Sequence, residues 1–366
     1  MEKLASIVRR PIIILLLILL VPRLGAGSAG AKESPDRPAK GGQKRVITVV
    51  YFPMAVPVAV LGEVLKRDRV LMKTLGRAGV RAEFRTLTKG SDALPYIRKG
   101  KVDAALISDM PAIEAASTGE MLIAGTIKRS YASVVARSGL VLEQLRRKKV
   151  GNAFGSTSHY ALLQALRSAR LTESDVNIVL MDTALMPDAL ARGEIDAFAA
   201  WEPIPTAAMK KYPGQFTPIY RQVSASYFLL SRRLVESDPA AADALSAALI
   251  RSTRWMKKGD NLALASRWAL NGMTAFSGKQ SGLSAQDIAE ITRTDLLDVP
   301  GAPLVSAAEK EPRSALAREF DFLMSIGKLP QKVSRERFEG SISPELLPRL
   351  LARHKRHQLD TFDYAF

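Results

Sequence analysis

The sequence predicts an α/β protein with two doubly wound lobes, joined by a two-strand hinge and followed by a helical C-terminal extension. Three observations lead to this fold class. Strand-like and helix-like apolar periods alternate along the chain, as in sheets wrapped by helices. A short motif near residue 100 recurs near residue 193. Strand patterns also occur at both places where the chain would cross between the lobes.

The first lobe is predicted from a β-α repeat over residues 45–135. Aliphatic and β-branched runs indicate strands at Val46–Phe52, Ala82–Leu87, Val102–Ile107 and Met121–Ile127. Apolar residues at helical spacing indicate helices at Val58–Leu75, Ser91–Lys99 and Pro111–Ser117. Tyr131–Ala136 is a further strand that would carry the chain out of this lobe.

The second lobe is predicted over residues 136–221, and residues 222–330 would return to the first lobe. A short helix is expected at Val141–Arg147 and a capped turn at Thr172–Asp175. The strands and helices that alternate here are Val150–Phe154, Ser158–Arg170, Val176–Met181, Pro187–Arg192, Ile195–Ala200 and Pro205–Tyr212. Separate strands at Phe216–Arg221 and Tyr227–Ser231 put the return crossing between about Tyr220 and Ala225. An alanine-rich helix is expected at Pro239–Lys257, and residues 331–366 are expected to form a basic helical tail.

The N-terminus indicates export to the periplasm. Lys3, Arg9 and Arg10 precede an apolar run, and a stretch of small residues ends in Ala29-Gly30-Ala31, so residues 1–31 have the layout of a cleavable signal peptide. The apolar core is shorter than the ~20 residues of a membrane-spanning helix; retention as an uncleaved anchor is the alternative. Residues 32–44 are expected to be a flexible linker.

Composition narrows the function classes. The chain has no cysteine, which excludes disulfides, thiol nucleophiles and cysteine-ligated metals. The formal net charge of +17 falls to +14 without residues 1–31, because that segment holds four basic residues and one acidic residue. Such a balance fits nucleic acid, an anionic surface or an anionic ligand. Export argues against nucleic acid.

The repeated motif predicts a binding cleft. Gly100–Ala104 is matched by Gly193–Ala197, and extending both without gaps sets Ser108-Asp109 beside Trp201-Glu202. Open α/β sheets bind ligands outside the carboxyl ends of their strands, so both polar pairs, and Phe52 after the first strand, are expected to face one crevice. Trp201 could form an apolar wall there, and Glu202 could accept hydrogen bonds. The alternatives are a common α/β turn sequence, Asp109 as a helix N-cap and Trp201 in the core.

A second candidate region lies at the strand-to-helix junction before residue 160. Gly155 allows close approach, Ser156 and Thr157 carry hydroxyl donors, and a helix N-terminus attracts anions. With His159, these residues are candidate ligand contacts. The alternatives are that Ser156 or Thr157 only caps the helix, and that His159 is a packed, hydrogen-bonded residue.

Motifs for catalysis and cofactors are not found. Gly155–His159 lacks the second glycine of a nucleophile elbow, and neither a phosphate loop nor a dinucleotide fingerprint occurs. His354 and His357 stand in a basic segment, which favours a solvated helix end over a metal site. We therefore expect no enzyme activity, no cofactor and no bound metal.

The chain resembles the aliphatic sulfonate, taurine and nitrate family of periplasmic substrate-binding proteins. The resemblance rests on the glycine-serine-x-x-histidine-tyrosine stretch at Gly155–Tyr160, and on Gly193–Ala197 leading to Trp201-Glu202-Pro203, within about Val46 to Met256. It implies a type II periplasmic binding protein fold and a partnership with the inner-membrane permease of an ABC importer. It also implies that Ser156, Thr157, His159, Trp201 and Glu202 lie at or beside a small anionic or zwitterionic solute. We expect a monomer.

Three departures from the family pattern concern the ligand more than the fold. Phe52-Pro53-Met54 is apolar where the family often has a polar contact, Glu202 replaces the common aspartate, and residues 278–366 match no family pattern. Two other functions stay open. One is a thiamine-pyrimidine-related binding protein or enzyme on the same fold, and the other is a ligand sensor whose basic tail docks a membrane protein.

Overall fold

The structure is a computed structural model that describes residues 45–297 and 303–366. The predicted signal peptide and linker lie outside the described residues. None of the helices in these ranges has the length and apolar character that a membrane crossing requires.

An eight-stranded sheet organises the described residues, in the order β2-β1-β3-β8-β4-β7-β5-β6. β1 is parallel to β2 and β3, and β5 is parallel to β6 and β7, whereas β8 runs antiparallel to β3 and β4. The strands are β1 (Arg45–Tyr51), β2 (Val80–Thr86), β3 (Ala104–Ser108), β4 (Met121–Arg137), β5 (Lys149–Asn152), β6 (Asn177–Leu180), β7 (Ala197–Trp201) and β8 (Phe216–Ser231). The predicted α/β class is confirmed.

Helices cover the sheet and make up most of the chain after β8. They are α1 (Val58–Arg67), α2 (Arg69–Arg77), α3 (Leu94–Arg98), α4 (Asp109–Ser117), α5 (Thr157–Ser168), α6 (Met186–Arg192), α7 (Ile204–Lys211), α8 (Arg232–Ser237), α9 (Pro239–Met256), α10 (Asn261–Ser277), α11 (Ala285–Thr292), α12 (Ala315–Ser325), α13 (Arg335–Glu339) and α14 (Pro348–Leu351). The predicted element over residues 141–147 is only a 3-10 turn at Leu142–Leu145.

The two longest strands run through both halves of the sheet. β4 and β8 pair from Met121 with Ser231 to Arg137 with Phe216. β3 flanks β8 over residues 104–108, and β7 flanks β4 over residues 132–136. The sequence predicted two separate strands at each crossing between the lobes, and this prediction is wrong. Antiparallel pairing keeps β4 and β8 each continuous across the middle of the sheet. The described residues belong to one compact unit, so the lobe boundaries stay a prediction.

The predicted helix Val58–Leu75 is broken at Asp68. The carboxylate of Asp68 accepts the N–H of Leu71 at 2.9 Å and thereby starts α2. It also accepts hydrogen bonds from the guanidinium of Arg251 on α9, at 2.6 and 2.8 Å. Both side chains are at most 2% exposed. A buried ion pair thus fixes the break.

The C-terminal residues pack against the rest of the fold. Leu347, Leu350 and Leu359 are fully buried, and the backbone of Tyr364 bridges to Asp68. Arg251 also donates to the carbonyls of His357 and Gln358. Residues 331–366 therefore contribute to the hydrophobic core.

Candidate functional site

The first polar pair lies where β3 ends and α4 begins. Ser108 is the N-cap residue and is partly exposed, whereas Asp109 opens the helix and is fully buried. The alternative that Asp109 is the N-cap is therefore wrong. Its carboxylate accepts the N–H of Met110 at 2.8 Å and the N–H of Ala225, in β8, at 3.3 Å. Asp109 thus joins α4 to a strand that crosses between the halves of the sheet.

The start of α5 reaches the same carboxylate. The Thr157 hydroxyl donates to Oδ1 of Asp109, and Thr157 is buried. Ser156 caps α5, because its Oγ accepts the N–H of His159 at 3.3 Å. The structure therefore brings together two predicted residues, Asp109 and Thr157, and assigns the capping role to Ser156.

Gly155 adopts a conformation that favours glycine, with φ of +67°. A Cβ atom at this position would lie 2.4 Å from Cε of Lys328, whose side chain covers the glycine. The N–H of Gly155 donates to Nδ1 of His159 at 3.2 Å. The glycine is thus required by its backbone conformation, whereas the flexible end of Lys328 could move aside for a larger residue.

His159 is a packed residue with partners on both ring nitrogens. Besides the bond from Gly155, its Nε2 lies 3.3 Å from a carboxylate oxygen of Glu173. The ring packs against Phe154 and Phe322, with centroids 5.1 and 5.6 Å away, and its side chain is 1% exposed. Burial lowers the pKa of His159, although Glu173 opposes this. These contacts favour the packed alternative over a ligand contact.

The second polar pair lies at the end of β7. Trp201 pairs with Ala132 of β4, and both Trp201 and Glu202 are partly exposed. The Glu202 carboxylate accepts the N–H of Thr206 at 3.4 Å. Burial raises the pKa of Glu202, while the positive charges of Lys128 and Arg221 act against that rise. The pair keeps accessible surface that a solute could contact.

Phe52 is buried, unlike Trp201 and Glu202, which are partly exposed. It is 3% exposed and belongs to the main hydrophobic core. Met54 is partly buried against the same core. Little of the Phe52 surface is therefore available to a solute.

Sequence reasoning missed Lys128, which lies between the two polar pairs. It belongs to β4 opposite Ser226 and is 5% exposed. Its positive charge opposes the burial-driven rise in the pKa of Asp109, Glu202 and Asp295. The available signal was a lysine directly after the apolar strand Met121–Ile127.

Two carboxyls that sequence reasoning also missed come from the C-terminal half. Asp295 and Glu319 are each 4% exposed. Burial raises the pKa of Asp295 to about 6. Burial, together with the charges of Asp109 and Glu309, raises the pKa of Glu319 well above its ordinary value. Among the described residues, Oδ2 of Asp295 and Oε2 of Glu319 have no hydrogen-bond partner.

The arrangement suits noncovalent capture. It offers backbone N–H groups at the start of α5, the ammonium of Lys128 and several carboxyls around the crossing of β4 and β8. Oγ of Ser156 donates to the carbonyl of Ala153 and contacts Oγ of Ser158 at 2.9 Å, so neither serine is paired with a histidine base. Across residues 45–297 and 303–366, no group of three or more His, Asp or Glu side chains could hold a metal ion.

Comparison with known proteins gives matches in sequence and in fold. The sequence pattern of the NMT1-like family matches residues 68–270. The taurine-binding periplasmic protein of Escherichia coli (strain K12) is 24% identical over 239 residues, which are 60% of this chain and 72% of that protein.

Solved structures share the fold at low sequence identity. The periplasmic aliphatic sulphonate binding protein SsuA from Escherichia coli superposes with a TM-score of 0.61 at 20% identity, over 81% of this chain and 92% of that chain. The desulfurization enzyme DszB superposes with a TM-score of 0.54 at 17% identity, over 85% of this chain and 99% of that chain. The type II periplasmic binding protein fold is therefore shared by binding proteins and an enzyme.

Proposed function

Because this chain belongs to the NMT1-like family, we propose that it is the solute-binding component of an ABC importer. It captures a small anionic or zwitterionic solute where the halves of the sheet meet. The observation that carries this proposal is the contact between Asp109 and Thr157. This contact joins the starts of α4 and α5, which follow β3 and β5 on opposite sides of the crossing strands.

The solute class follows from the donors and from the relatives. The first turn of α5 presents N–H groups, and helix starts favour negative groups. Relatives whose names specify taurine and aliphatic sulphonates support a sulfonate, with nitrate as a smaller anion of the same charge. Glu202, which is partly exposed, supplies an acceptor for an amine. Taurine or an aliphatic sulfonate is the solute that these groups fit best.

Capture and release follow from the two crossing strands. Residues 129–131 and 223–225 lie between the segments flanked by β3 and β7. Small backbone changes there would move one half of the sheet relative to the other, as in hinge closure around a ligand. The proposed partner is an inner-membrane permease, and the protein acts as a monomer in the periplasm.

The relatives and the buried C-terminus bear on the alternative functions. The sequence relative is named as a binding protein, whereas the likeness to DszB is one of fold alone. A sensor that docks through its tail would need a tail free to dock. Burial of Leu347, Leu350 and Leu359 does not support that role.

Isothermal titration calorimetry with taurine, ethanesulfonate, nitrate and an aminopyrimidine tests the proposal. We expect heat of binding from at least one sulfonate. Thr157→Leu should weaken that binding, because the larger side chain removes the hydroxyl and fills the contact with Asp109. The matched control is Thr217→Leu at an exposed position of β8, which should bind as the wild type does. Absence of binding to every compound would contradict the proposal.

A further inference from the structure

Lys128 is a buried cation that neither recognised motif includes. It is 5% exposed, and a register shift between Thr126 and Lys128 marks an irregularity of β4 at this point. Such shifts re-aim side chains. Within the described ranges, its ammonium makes no hydrogen bond and no ion pair. A largely buried lysine whose ammonium has no partner among the residues that the structure describes is suited to an acceptor supplied by a ligand.

The strand register places Lys128 at the same height in the sheet as the end of β3, where the predicted cleft begins. Lys128 is paired with Ser226 of β8, and Ser226 is paired with Ser108 at the carboxyl end of β3. Four residues further along β4, Ala132 is paired with Trp201 at the end of β7. Lys128 therefore lies between the two polar pairs that end the repeated strands.

Two neighbouring carboxyls, those of Asp109 and Glu202, accept hydrogen bonds from other groups, and neither forms an ion pair with Lys128. The Asp109 carboxylate accepts from Met110, Ala225 and Thr157, and Glu202 accepts from Thr206. Their charges nevertheless act on Lys128 through space, because it counteracts the rise in the pKa of each. In the described parts of the chain, the ammonium is thus attracted to these two carboxyls without forming a direct pair with either.

We propose that Lys128 binds the anionic head group of the solute and selects monoanions over dianions. This inference rests on the proposed solute-binding function and adds to it the residue that recognises charge. One ammonium can pair with a sulfonate or carboxylate oxygen. Asp109 and Glu202 follow the strand ends on either side of Lys128, so a second negative charge on the ligand would be repelled. Sulfonates should therefore bind more tightly than sulfate or phosphate.

Calorimetry on the full chain with ethanesulfonate tests the role of Lys128. Lys128→Gln should weaken binding by about 10- to 100-fold, the range for losing a charged hydrogen bond. Lys128→Arg should retain part of the affinity, because it keeps the charge. The matched control is Lys101→Gln at an exposed position before β3, which should bind as the wild type does. Circular dichroism of each variant without ligand shows whether it is folded.

Two results would overturn the inference while leaving the proposed function intact. One is a folded Lys128→Gln variant that binds ethanesulfonate as tightly as the wild type. The other, which needs no variant, is wild-type protein that binds sulfate as tightly as ethanesulfonate. If the wild type binds no sulfonate, nitrate or pyrimidine, the proposed function fails and this inference fails with it.

Discussion

Replacing Asp295 with asparagine should stabilise the protein at neutral pH by removing a buried carboxyl whose ionisation opposes folding. Asp295 follows α11 and is 4% exposed. Burial raises its pKa from 3.8 to about 6, with Glu202 adding to the rise and Lys128 and Ser130 opposing it. The folded pKa of Asp295 lies above its unfolded value. The folded state is therefore favoured most below pH 3.8, where the carboxyl is protonated in both states, and this stability is lost as the pH rises through 6.

The size of the effect follows from the two pKa values. A rise of this size corresponds to about 3 kcal/mol of unfolding free energy above pH 7, at about 1.4 kcal/mol for each pH unit. Near pH 4.5 only about 1 kcal/mol of this penalty has developed, because the folded carboxyl is still protonated. Asp295→Asn should therefore gain about 2 kcal/mol over the wild type between pH 4.5 and 8.

Urea unfolding followed by circular dichroism across this pH range measures the difference directly. Asp260→Asn is the matched control, since Asp260 is exposed and its side chain makes no capping hydrogen bond at the start of α10. Its difference from the wild type should stay constant with pH. A constant difference for Asp295→Asn as well would refute the reasoning.

Three further perturbations test other parts of the structure. Burial lowers the pKa of His159, so its contribution to stability is present above pH 6.5 and is lost as the pH falls. His159→Gln should reduce this loss of unfolding free energy at acid pH, as measured by urea unfolding. An unchanged dependence on pH would contradict a buried neutral imidazole. Arg251→Met leaves Asp68 buried and unpaired, so the free energy of unfolding should fall by about 3–5 kcal/mol in the same assay. Adding Asp68→Asn should restore part of that free energy. No restoration would count against the ion pair. Truncation after Lys332 removes leucines that are fully buried, and each of them contributes about 1.5–3 kcal/mol to stability. Calorimetry should therefore show a lower Tm or no cooperative transition. An unchanged Tm would show that the tail is not needed for stability.

Local sequence patterns predict where helices and strands form better than they predict where a helix is broken. α9, predicted at Pro239–Lys257, forms at Pro239–Met256, because its apolar spacing and proline start are local signals. The break at Asp68 depends on Arg251, 183 residues away in the chain. No local pattern contains that information.

The candidate site is likewise predicted only where a motif is repeated. Gapless alignment of the two glycine motifs singles out Asp109 and Glu202, and the junction before α5 singles out Thr157, which contacts Asp109. Lys128 and Glu319 carry no motif, because their importance arises from burial beside other charges. Phe52 shows the converse, since a strand end that should face the cleft places its side chain in the core.

A crystal structure of the protein grown with ethanesulfonate tests the central claim most directly. We expect the sulfonate between the start of α5 and the end of β7, within hydrogen-bond distance of Lys128 and in contact with Thr157 or Trp201. A sulfonate bound elsewhere, with Lys128 and Thr157 in their present contacts, would contradict the account.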